Sequence, residues 1–368
     1  MISLPVLRRY AIARSLFAPT TLRKAVERLG FVQADPIRAP ARAQDLILRH
    51  RVRDYRVADL ERRYAQLPVE EDFFVNYGYL PRRHHVHLHP RRLDVRRGSL
   101  AHRRIEEIHA YAARNAEIHP RAAAGHFGHG RAQNWFGGDS NVTTQLLERM
   151  HYLGYLRVAR RDKGIRVYAH RDAAAPPPGA GERQERADTL LQLAVNLYAP
   201  LPAATLTQLV SMLRRSAPQL HAALDHAAVR ARQGLARATV DGAVWYWPAD
   251  EVPGDFAVQE PPMARLLAPF DPVVWDRRRF EHFWAWNYRF EAYTPAPRRK
   301  LGYYALPLLW RDRVVGWGNV AVDDDCLVAD IGYVAGAMPR DRAFAGALRA
   351  ELERFAKFLR LGKFREPA

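Results

Sequence analysis

The chain has almost no cysteine and no long apolar segment. Its 368 residues include one cysteine, Cys326, so neither a disulfide framework nor a cysteine-based zinc site can form within the chain. The first ten residues lack the apolar run of about 7–15 residues that a signal peptide needs. No stretch approaches the roughly 20 apolar residues of a membrane span. We therefore expect a reduced, cytoplasmic protein without a membrane partner.

Acidic residues are scarce relative to basic ones. Lys and Arg number 57 against 39 Asp and Glu, which gives a formal net charge of +18 and an isoelectric point near 10.4. Most of the cations are arginine, whose fork of N–H donors suits bidentate contacts with phosphate. A GC-rich genome would explain arginine in place of lysine but not the excess of positive charge. The composition therefore predicts a polyanionic partner, a nucleic acid.

The length of the chain suits several modules. Apolar residues at helical spacing predict helices over residues 2–30, with an N-cap at Thr20 or Thr21 and a C-cap at Gly30. Another helix is predicted after Pro40. The modules that we expect are an N-terminal helical or winged-helix region at 1–119, a winged helix at 120–172, a further winged helix at 186–250, and a β-barrel-like element with a C-terminal helix at 263–368.

One polar pair lies between the predicted N-terminal helices. Gln33 and Asp35 are two residues apart, directly before Pro36. A residue that precedes proline is driven towards extended backbone, where side chains at i and i+2 point the same way. The amide and the carboxylate should therefore project together, with room between them for a water molecule or a cationic centre. The alternative roles are a turn or helix cap for Asp35 and a buried amide for Gln33.

A basic stretch covers residues 81–104, where eight arginines occur with one acid, Asp94. Like charges at this density are found on solvated faces or where a polyanion screens them. The stretch also contains His85, His87 and His89, whose alternation on a strand would place three candidate metal ligands on one face. No cysteine lies nearby, so we favour contacts with nucleic acid and predict no metal site.

Residues 120–172 follow the order helix, helix, hairpin that is typical of a winged helix. Ser140 is the expected N-cap of the second helix and Gly154 its expected end. Alternating apolar and basic residues then predict two short strands around the turn Asp162–Gly164. The basic residues of this hairpin include Arg160, Arg161, Lys163 and Arg166. We interpret the hairpin as a basic wing, and a structural hairpin with incidental charge is the alternative.

The remaining sequence repeats this order once and then changes character. Residues 186–250 again predict helices and a hairpin, but this hairpin, around Asp241-Gly242, is apolar and should pack within the protein. Residues 263–335 read as short strands with close turns, and a helix follows from Arg342 to Leu361. The predicted fold is therefore α+β, with tandem winged-helix modules followed by a small antiparallel β-barrel-like element.

Four stretches carry a family resemblance. They are Gln33-Ala34-Asp35 with Ala43–Leu46, the wing Val158–Asp162, Leu267–Arg277, and Tyr293–Leu308. In these stretches the chain resembles the winged-helix alkylpurine DNA glycosylases of the YcaQ-like or AlkX/AlkZ group. The last two stretches together are the most specific. The chain departs from the family at Phe73–Pro81, where members often carry Trp-Ala-His-Glu-Ala-Ser-Leu-Leu-Pro and the His-Glu is missing here.

The resemblance implies an enzyme that excises N7- or N3-alkylated purines from double-stranded DNA and, in some members, unhooks interstrand crosslinks. It also implies a Gln-x-Asp active site, here Gln33 and Asp35. The carboxylate would stabilise the cationic sugar and act as general base, and the amide would orient the attacking water. Because no lysine neighbours the pair in the sequence, we expect hydrolysis without strand cleavage and no cofactor.

We expect basic side chains to hold the DNA backbone. The predicted DNA-contacting residues are Arg82, Arg83, Arg91, Arg92, Arg96, Arg97, Arg160, Arg161, Lys163 and Arg166. A monomer associated with the nucleoid is the expected state. Two other classes stay open, a winged-helix transcriptional regulator without catalysis and an RNA-binding or architectural module. The regulator would give no role to Gln33, to Asp35 or to the strands after residue 263.

Overall fold

The computed structural model describes residues 2–91, 96, 98–133, 138–171, 178–256 and 262–365. The α-helices in these ranges are α1 (Leu4–Ser15), α2 (Leu22–Leu29), α3 (Ala43–Leu48), α4 (Asp59–Arg63), α5 (His85–Leu88), α6 (Leu100–Arg114), α7 (Pro120–Phe127), α8 (Val142–Leu153), α9 (Ala180–Tyr198), α10 (Ala203–Ser216), α11 (His221–Gly234), α12 (Arg277–Trp284) and α13 (Arg342–Leu359). Short 3-10 helices occur at Tyr64–Gln66, Arg82–His84, Pro218–Leu220, Pro253–Asp255 and Ala296–Arg298.

The strands in the same ranges are mostly short. They are β1 (Val32–Gln33), β2 (Val69–Phe73), β3 (Tyr77–Pro81), β4 (Arg131–Gln133), β5 (Asp139–Asn141), β6 (Leu156–Asp162), β7 (Ile165–His170), β8 (Leu201–Pro202), β9 (Ala236–Val240), β10 (Ala243–Trp247), β11 (Ala264–Leu266), β12 (Leu306–Trp310), β13 (Arg313–Asp323), β14 (Cys326–Tyr333) and β15 (Lys363–Arg365). The structure is thus a mixture of helix and strand, which confirms the predicted α+β class.

The chain divides into two compact units. Unit 1 comprises Met1–Leu60, Gln192–Leu209 and Ala228–Ala368, and unit 2 comprises Glu61–Leu191 and Val210–Ala227. The segment predicted as a module at 120–172 falls within unit 2. The segment predicted as a module at 186–250 contributes residues to both units, so the predicted module boundaries stay a prediction.

Unit 1 is built on a five-stranded sheet in the order β11-β12-β13-β14-β15. The first four strands are antiparallel, and β15 joins β14 in parallel. A Cβ on Gly316 would lie 2.1 Å from the carbonyl oxygen of Gly332, so glycine is needed where β13 and β14 approach closely. The sheet curls into a half-barrel, which gives the predicted β-barrel-like element an open form.

The N-terminal helices of unit 1 end as the sequence predicts. The Thr21 hydroxyl accepts a hydrogen bond from the Lys24 N–H at the start of α2, and Gly30 ends that helix at φ 72°. The chain then enters β1 and the segment that contains Asp35. Ile12 and Leu16 at the end of α1 pack into a buried cluster with the residues before β12. Because Gly30 ends α2, the extended segment with Gln33 and Asp35 starts directly after it.

Unit 2 contains the predicted basic hairpin. β6 and β7 pair in antiparallel, and Lys163 (φ 49°) and Gly164 (φ 88°) form their tight turn. Asn141, not Ser140, is the N-cap of α8, because its Oδ1 accepts hydrogen bonds from the next helical N–H groups. Gly154 ends α8 at φ 91°, as predicted.

The histidine-rich segment of unit 2 is helical, so the strand assumed in the sequence argument is wrong. Arg82–His84 form a 3-10 turn and His85–Leu88 a single α-helical turn. Helical spacing brings His85 and His89 together, with ring centroids 4.1 Å apart, and leaves His87 on another face.

None of the helices in the described ranges has the length and apolar content that a membrane span requires.

Candidate active site

Asp35 is held by a local turn in unit 1. Its Oδ1 accepts a hydrogen bond of 2.9 Å from the backbone N–H of Ile37. Its own N–H lies 3.5 Å from Oε1 of the buried Gln44. The second carboxylate oxygen, Oδ2, makes no hydrogen bond to any described residue. The turn role considered for Asp35 is therefore real, and it leaves one oxygen for chemistry.

The environment of Asp35 makes it a stronger base than an ordinary aspartate. Burial raises the pKa of Asp35 above its usual value, and the hydrogen bond from Ile37 opposes this only in part. The neighbouring Gln33 is buried, with 8% of its surface exposed. A half-buried carboxylate with a raised pKa is suited to accept a proton near neutral pH.

Two tyrosines that the sequence argument did not single out lie near this carboxylate. Tyr293 and Tyr304 belong to the segment that precedes β12, and Asp35 acts electrostatically on both. The Tyr304 ring is 4% exposed and packs edge-to-face on Phe290. Only a three-dimensional structure could reveal this proximity, because the two segments lie far apart in the chain.

The Tyr304 hydroxyl is a polar group in need of a partner. It is buried and makes no hydrogen bond to any residue that the structure describes. Burial and the Asp35 carboxylate raise the pKa of Tyr304, so the hydroxyl stays neutral and can donate. A buried hydroxyl without a partner costs about 1–3 kcal/mol, and a water molecule or a ligand that enters the site can supply the missing acceptor.

A cavity of about 710 Å³ opens beside this group. Its walls are the loop Arg38–Pro40 after Asp35, the two residues Tyr303 and Tyr304, and the facing parts of β13 and β14. Tyr303 is 42% exposed, so the cavity communicates with solvent. It is large enough to hold a nucleobase with a substituent.

Gly302 shapes the wall of this cavity. Its φ of 119° favours glycine, and a Cβ there would lie 2.1 Å from Oδ1 of Asn319. The same Asn319 donates a hydrogen bond of 2.8 Å from Nδ2 to the carbonyl of Leu301. Packing at the cavity wall thus requires Gly302 in this family-like stretch.

The family-like stretch at Leu267–Arg277 has a structural role. Asp271 is fully buried and accepts two hydrogen bonds from the Arg51 guanidinium, at 2.8 and 3.0 Å. The same guanidinium donates to the carbonyl of Ser15. This buried ion pair joins α1, the end of α3 and the segment before α12 within unit 1.

The predicted DNA-contacting residues separate by exposure. Those with exposed side chains are Arg82, Arg83, Arg96, Arg160 and Lys163; of these, Arg82 also pairs with the buried Glu70 at 3.0 Å and Arg160 with Glu117 at 2.8 Å. Those with internal partners are Arg91, Arg161 and Arg166. The other two, Arg92 and Arg97, lie outside the described residues.

Arg91 is buried at 4% exposure and occupied on every side. Its guanidinium donates to Asp72 Oδ1 at 2.9 Å, to the Ser216 carbonyl at 2.5 Å, and to the Phe73 carbonyl at 2.9 Å. It also stacks on Tyr152. These contacts satisfy the guanidinium internally, so we leave Arg91 out of the surface proposed to bind DNA.

Two arginines of the hairpin likewise face inward. Arg161 makes a bidentate ion pair with Glu71, a carboxylate that is 1% exposed. Although burial by itself would raise the pKa of Glu71, Arg161 holds it below its usual value. Arg166 lies over the ring of Tyr77. The hairpin therefore has an inner side that stabilises unit 2 and an outer side with Arg160 and Lys163.

Asp72, His85 and His89 form the one group of candidate metal ligands found among the described residues. The Asp72 Oδ2 lies 2.6 Å from His89 Nε2 and 3.2 Å from His85 Nε2. The Arg91 guanidinium, 2.9 Å from the same carboxylate, already supplies a positive charge there. Burial lowers the pKa of His89 to about 3. We therefore interpret the cluster as an internal hydrogen-bond network.

The sequence and the fold place the chain in a known class of proteins. Residues 26–358 match the sequence model of the family described as DNA glycosylase AlkZ-like, so the chain belongs to that family and is a DNA glycosylase. The fold is similar to that of Streptomyces sahachiroi DNA glycosylase AlkZ, with a TM-score of 0.56 and 14% sequence identity over 99% of both chains. A regulator without catalysis is therefore not supported.

Proposed function

We propose that the enzyme hydrolyses the N-glycosidic bond of N7- or N3-alkylated purines in double-stranded DNA, with Gln33 and Asp35 as its catalytic residues. The observation that carries the proposal is the Asp35 carboxylate, which is fixed through Oδ1 and acts electrostatically on Tyr304, a residue that lines a base-sized cavity. Alkylation at N7 or N3 makes the purine cationic and a good leaving group. The enzyme then needs little acid catalysis and mainly a carboxylate and a water molecule.

The proposed reaction is a single displacement by water. The oxygen of water bonds to C1′ of the sugar while the C1′–N bond breaks, and the bonding electrons pass to the ring nitrogen of the departing base. Asp35 stabilises the positive charge that develops on the sugar and accepts the proton of the water. The Gln33 amide orients that water. No lysine occurs among the described residues that line the cavity. The cavity wall therefore offers no amine that could form an imine intermediate and cleave the strand.

The cavity also bears on which substituents the enzyme accepts. Tyr303 and Val322 on its wall are 42% and 47% exposed, so the cavity is broad and open rather than a closed pocket. A closed pocket would exclude a base that is still joined to the opposite strand. The open shape supports the proposal that crosslinked purines are substrates in addition to methylated ones.

We further propose that unit 2 holds DNA through a winged helix. The elements α6, Ile118, α7, α8 and the β6–β7 hairpin follow in winged-helix order, and Ile118 pairs with Tyr168 of β7 through two backbone hydrogen bonds. The exposed cations Arg160 and Lys163 on the hairpin would contact phosphates. The exposed Arg82, Arg83 and Arg96 would add further phosphate contacts.

Release of a free base is the test. A duplex with one 7-methylguanine and a duplex with a nitrogen-mustard crosslink are incubated with the protein, and the released base is identified by mass spectrometry. We expect free 7-methylguanine and an abasic strand that breaks only after alkali. An undamaged duplex is the control. If wild-type protein released no alkylated base under single-turnover conditions, the proposed function would be wrong.

A further inference from the structure

A loop of unit 1 combines positive charge with an exposed aromatic ring. It runs from Glu291 to Lys300, between α12 and β12. Its last three residues, Arg298, Arg299 and Lys300, are basic, and its one acid is Glu291. The side chains of Arg298 and Lys300 are exposed, whereas Glu291 is buried. The outer surface of the loop is therefore cationic, although none of these residues is among the DNA contacts predicted from the sequence.

Glu291 fixes the shape of this loop from the inside. Its Oε2 accepts hydrogen bonds from the backbone N–H of Lys300 at 2.8 Å and of Leu301 at 2.7 Å, which joins the two ends of the loop. The Arg299 Nε donates a hydrogen bond of 2.8 Å to the Thr294 carbonyl and ties the middle of the loop to its end. A loop that is ordered in advance loses less conformational entropy when it binds a partner.

The aromatic ring of the loop belongs to Tyr293, which is 77% exposed. The ring contacts Phe290 edge-to-face, with centroids 6.0 Å apart, and most of it lies in solvent. Asp35 acts electrostatically on Tyr293, so the ring lies near the carboxylate that we assign to catalysis. Exposed aromatic rings next to basic side chains are typical of sites that bind unpaired nucleobases, because the ring stacks on the base and the cations contact the phosphates.

We propose that this loop is a DNA-binding surface, at which Tyr293 stacks on a nucleobase beside the lesion while Arg298 and Lys300 bind the neighbouring phosphates. In an intact duplex both faces of each base are covered by its neighbours. A base that flanks a lost or displaced nucleotide has one free face. Tyr293 therefore favours an interrupted duplex, whereas the two cations favour any duplex. The position at the lesion rests on the proposed function of Asp35.

The test compares two labelled duplexes of one sequence by fluorescence anisotropy. One is fully paired, and the other carries a single tetrahydrofuran residue, a stable analogue of the abasic product. Tyr293→Ala should weaken binding to the tetrahydrofuran duplex by about tenfold or more and change binding to the paired duplex by less than about twofold. Tyr293→Phe keeps the stacking face and should bind both duplexes as wild type does. Wild-type affinity of Tyr293→Ala for the tetrahydrofuran duplex, or an equal loss for both duplexes, would overturn the stacking role.

The two cations are tested against a matched control. Arg298→Gln, Lys300→Gln should weaken binding to both duplexes alike and lower the salt slope by about two, because phosphate contacts do not depend on the lesion. Arg313→Gln, Arg349→Gln also removes two exposed charges of unit 1, one at the far end of β12 and one on α13, and should leave the salt slope near that of wild type. Equal losses in the two double variants would assign the effect to net charge and contradict the loop.

Neither measurement requires base release, so the results separate this surface from the proposed reaction. If wild-type protein excised 7-methylguanine and Tyr293→Ala kept full affinity for the tetrahydrofuran duplex, the loop proposal alone would be overturned. If binding to that duplex depended on Tyr293 and no alkylated base were released, the loop would stand as a binding surface and the proposed reaction would be wrong.

Discussion

The backbone N–H of Ile37 donates a hydrogen bond of 2.9 Å to Oδ1 of Asp35 and thereby fixes the carboxylate that we assign to catalysis. An asparagine at this position keeps the accepting Oδ1 but loses the negative charge. Asp35→Asn should therefore fold normally and lose about 10²–10⁴-fold in the rate of base release. Gln33→Ala should fall between this variant and wild type, because Gln33 orients water and does not activate it.

The measurement is single-turnover release of 7-methylguanine, with circular dichroism and duplex binding as controls. Duplex affinity should stay within a few-fold of wild type, since phosphate contacts supply it. If Asp35 served only the turn, asparagine would do so equally well. A wild-type excision rate in Asp35→Asn would then rule out the catalytic assignment.

Part of the fold could be predicted from sequence because its determinants are local. The Thr21 and Gly30 caps, the turn at Lys163-Gly164 and the break at Gly154 each depend on a few neighbouring residues. The position of Tyr304 beside Asp35 could not be predicted, because it depends on how distant segments fold together. The burial of Arg91 could not be predicted from sequence either, since its partners Asp72 and Ser216 lie elsewhere in the chain.

Because burial raises the pKa of Asp35, the pH dependence of catalysis has a defined sign. The general base must be deprotonated, so the excision rate should rise with pH and level off above the pKa of Asp35. The midpoint of the rise should lie above the ordinary aspartate value of about 3.9. Single-turnover rates from about pH 4 to about pH 8 measure this limb. The residual rate of Asp35→Asn should not show this rise with pH. The same rise in that variant would assign the titration to another group.

Tyr304→Phe should affect activity and stability in opposite directions. The phenyl ring keeps the packing on Phe290 and removes a buried hydroxyl that has no partner among the described residues. The melting temperature should therefore stay equal or rise, while base release should slow by about tenfold or more if the hydroxyl binds the substrate or the attacking water.

The matched control for this prediction is Tyr288→Phe. The Tyr288 hydroxyl is buried and donates a hydrogen bond of 2.8 Å to the carbonyl of Ala305. Its loss should lower the free energy of unfolding by about 1 kcal/mol and leave excision unchanged. Equal effects of the two substitutions on excision would show that Tyr304 has no specific role in the reaction.

The two adjacent arginines of the hairpin should behave differently. Arg160 is exposed, with Glu117 as its partner, so Arg160→Ala should weaken duplex binding and lower the salt slope by about one without changing the melting temperature. Arg161→Ala removes the ion-pair partner of the buried Glu71 and leaves it the Tyr77 hydroxyl, which should cost about 3–5 kcal/mol of stability. Fluorescence anisotropy and chemical denaturation separate the two effects. A stable Arg161→Ala that lost DNA affinity would instead place Arg161 at the DNA.

The last comparison concerns two arginines of the basic stretch, Arg91 and Arg96. Arg91 neutralises Asp72 inside unit 2, so Arg91→Ala leaves a buried carboxylate whose remaining partners are His85, His89 and the backbone N–H of Phe73. Those histidines would have to become charged to compensate, but burial lowers the pKa of His89 to about 3. We expect Arg91→Ala to lower the free energy of unfolding by about 3–5 kcal/mol.

Arg96 is exposed, and Arg96→Ala should change stability by no more than about 0.5 kcal/mol. If Arg96 contacts DNA, excision by this variant should fall at low enzyme concentration and recover at high concentration, because only affinity is lost. Urea denaturation and excision at two enzyme concentrations distinguish the two arginines. An unchanged excision rate at both concentrations would leave Arg96 as surface charge, and a fully stable Arg91→Ala would mean that the buried network does not need its guanidinium.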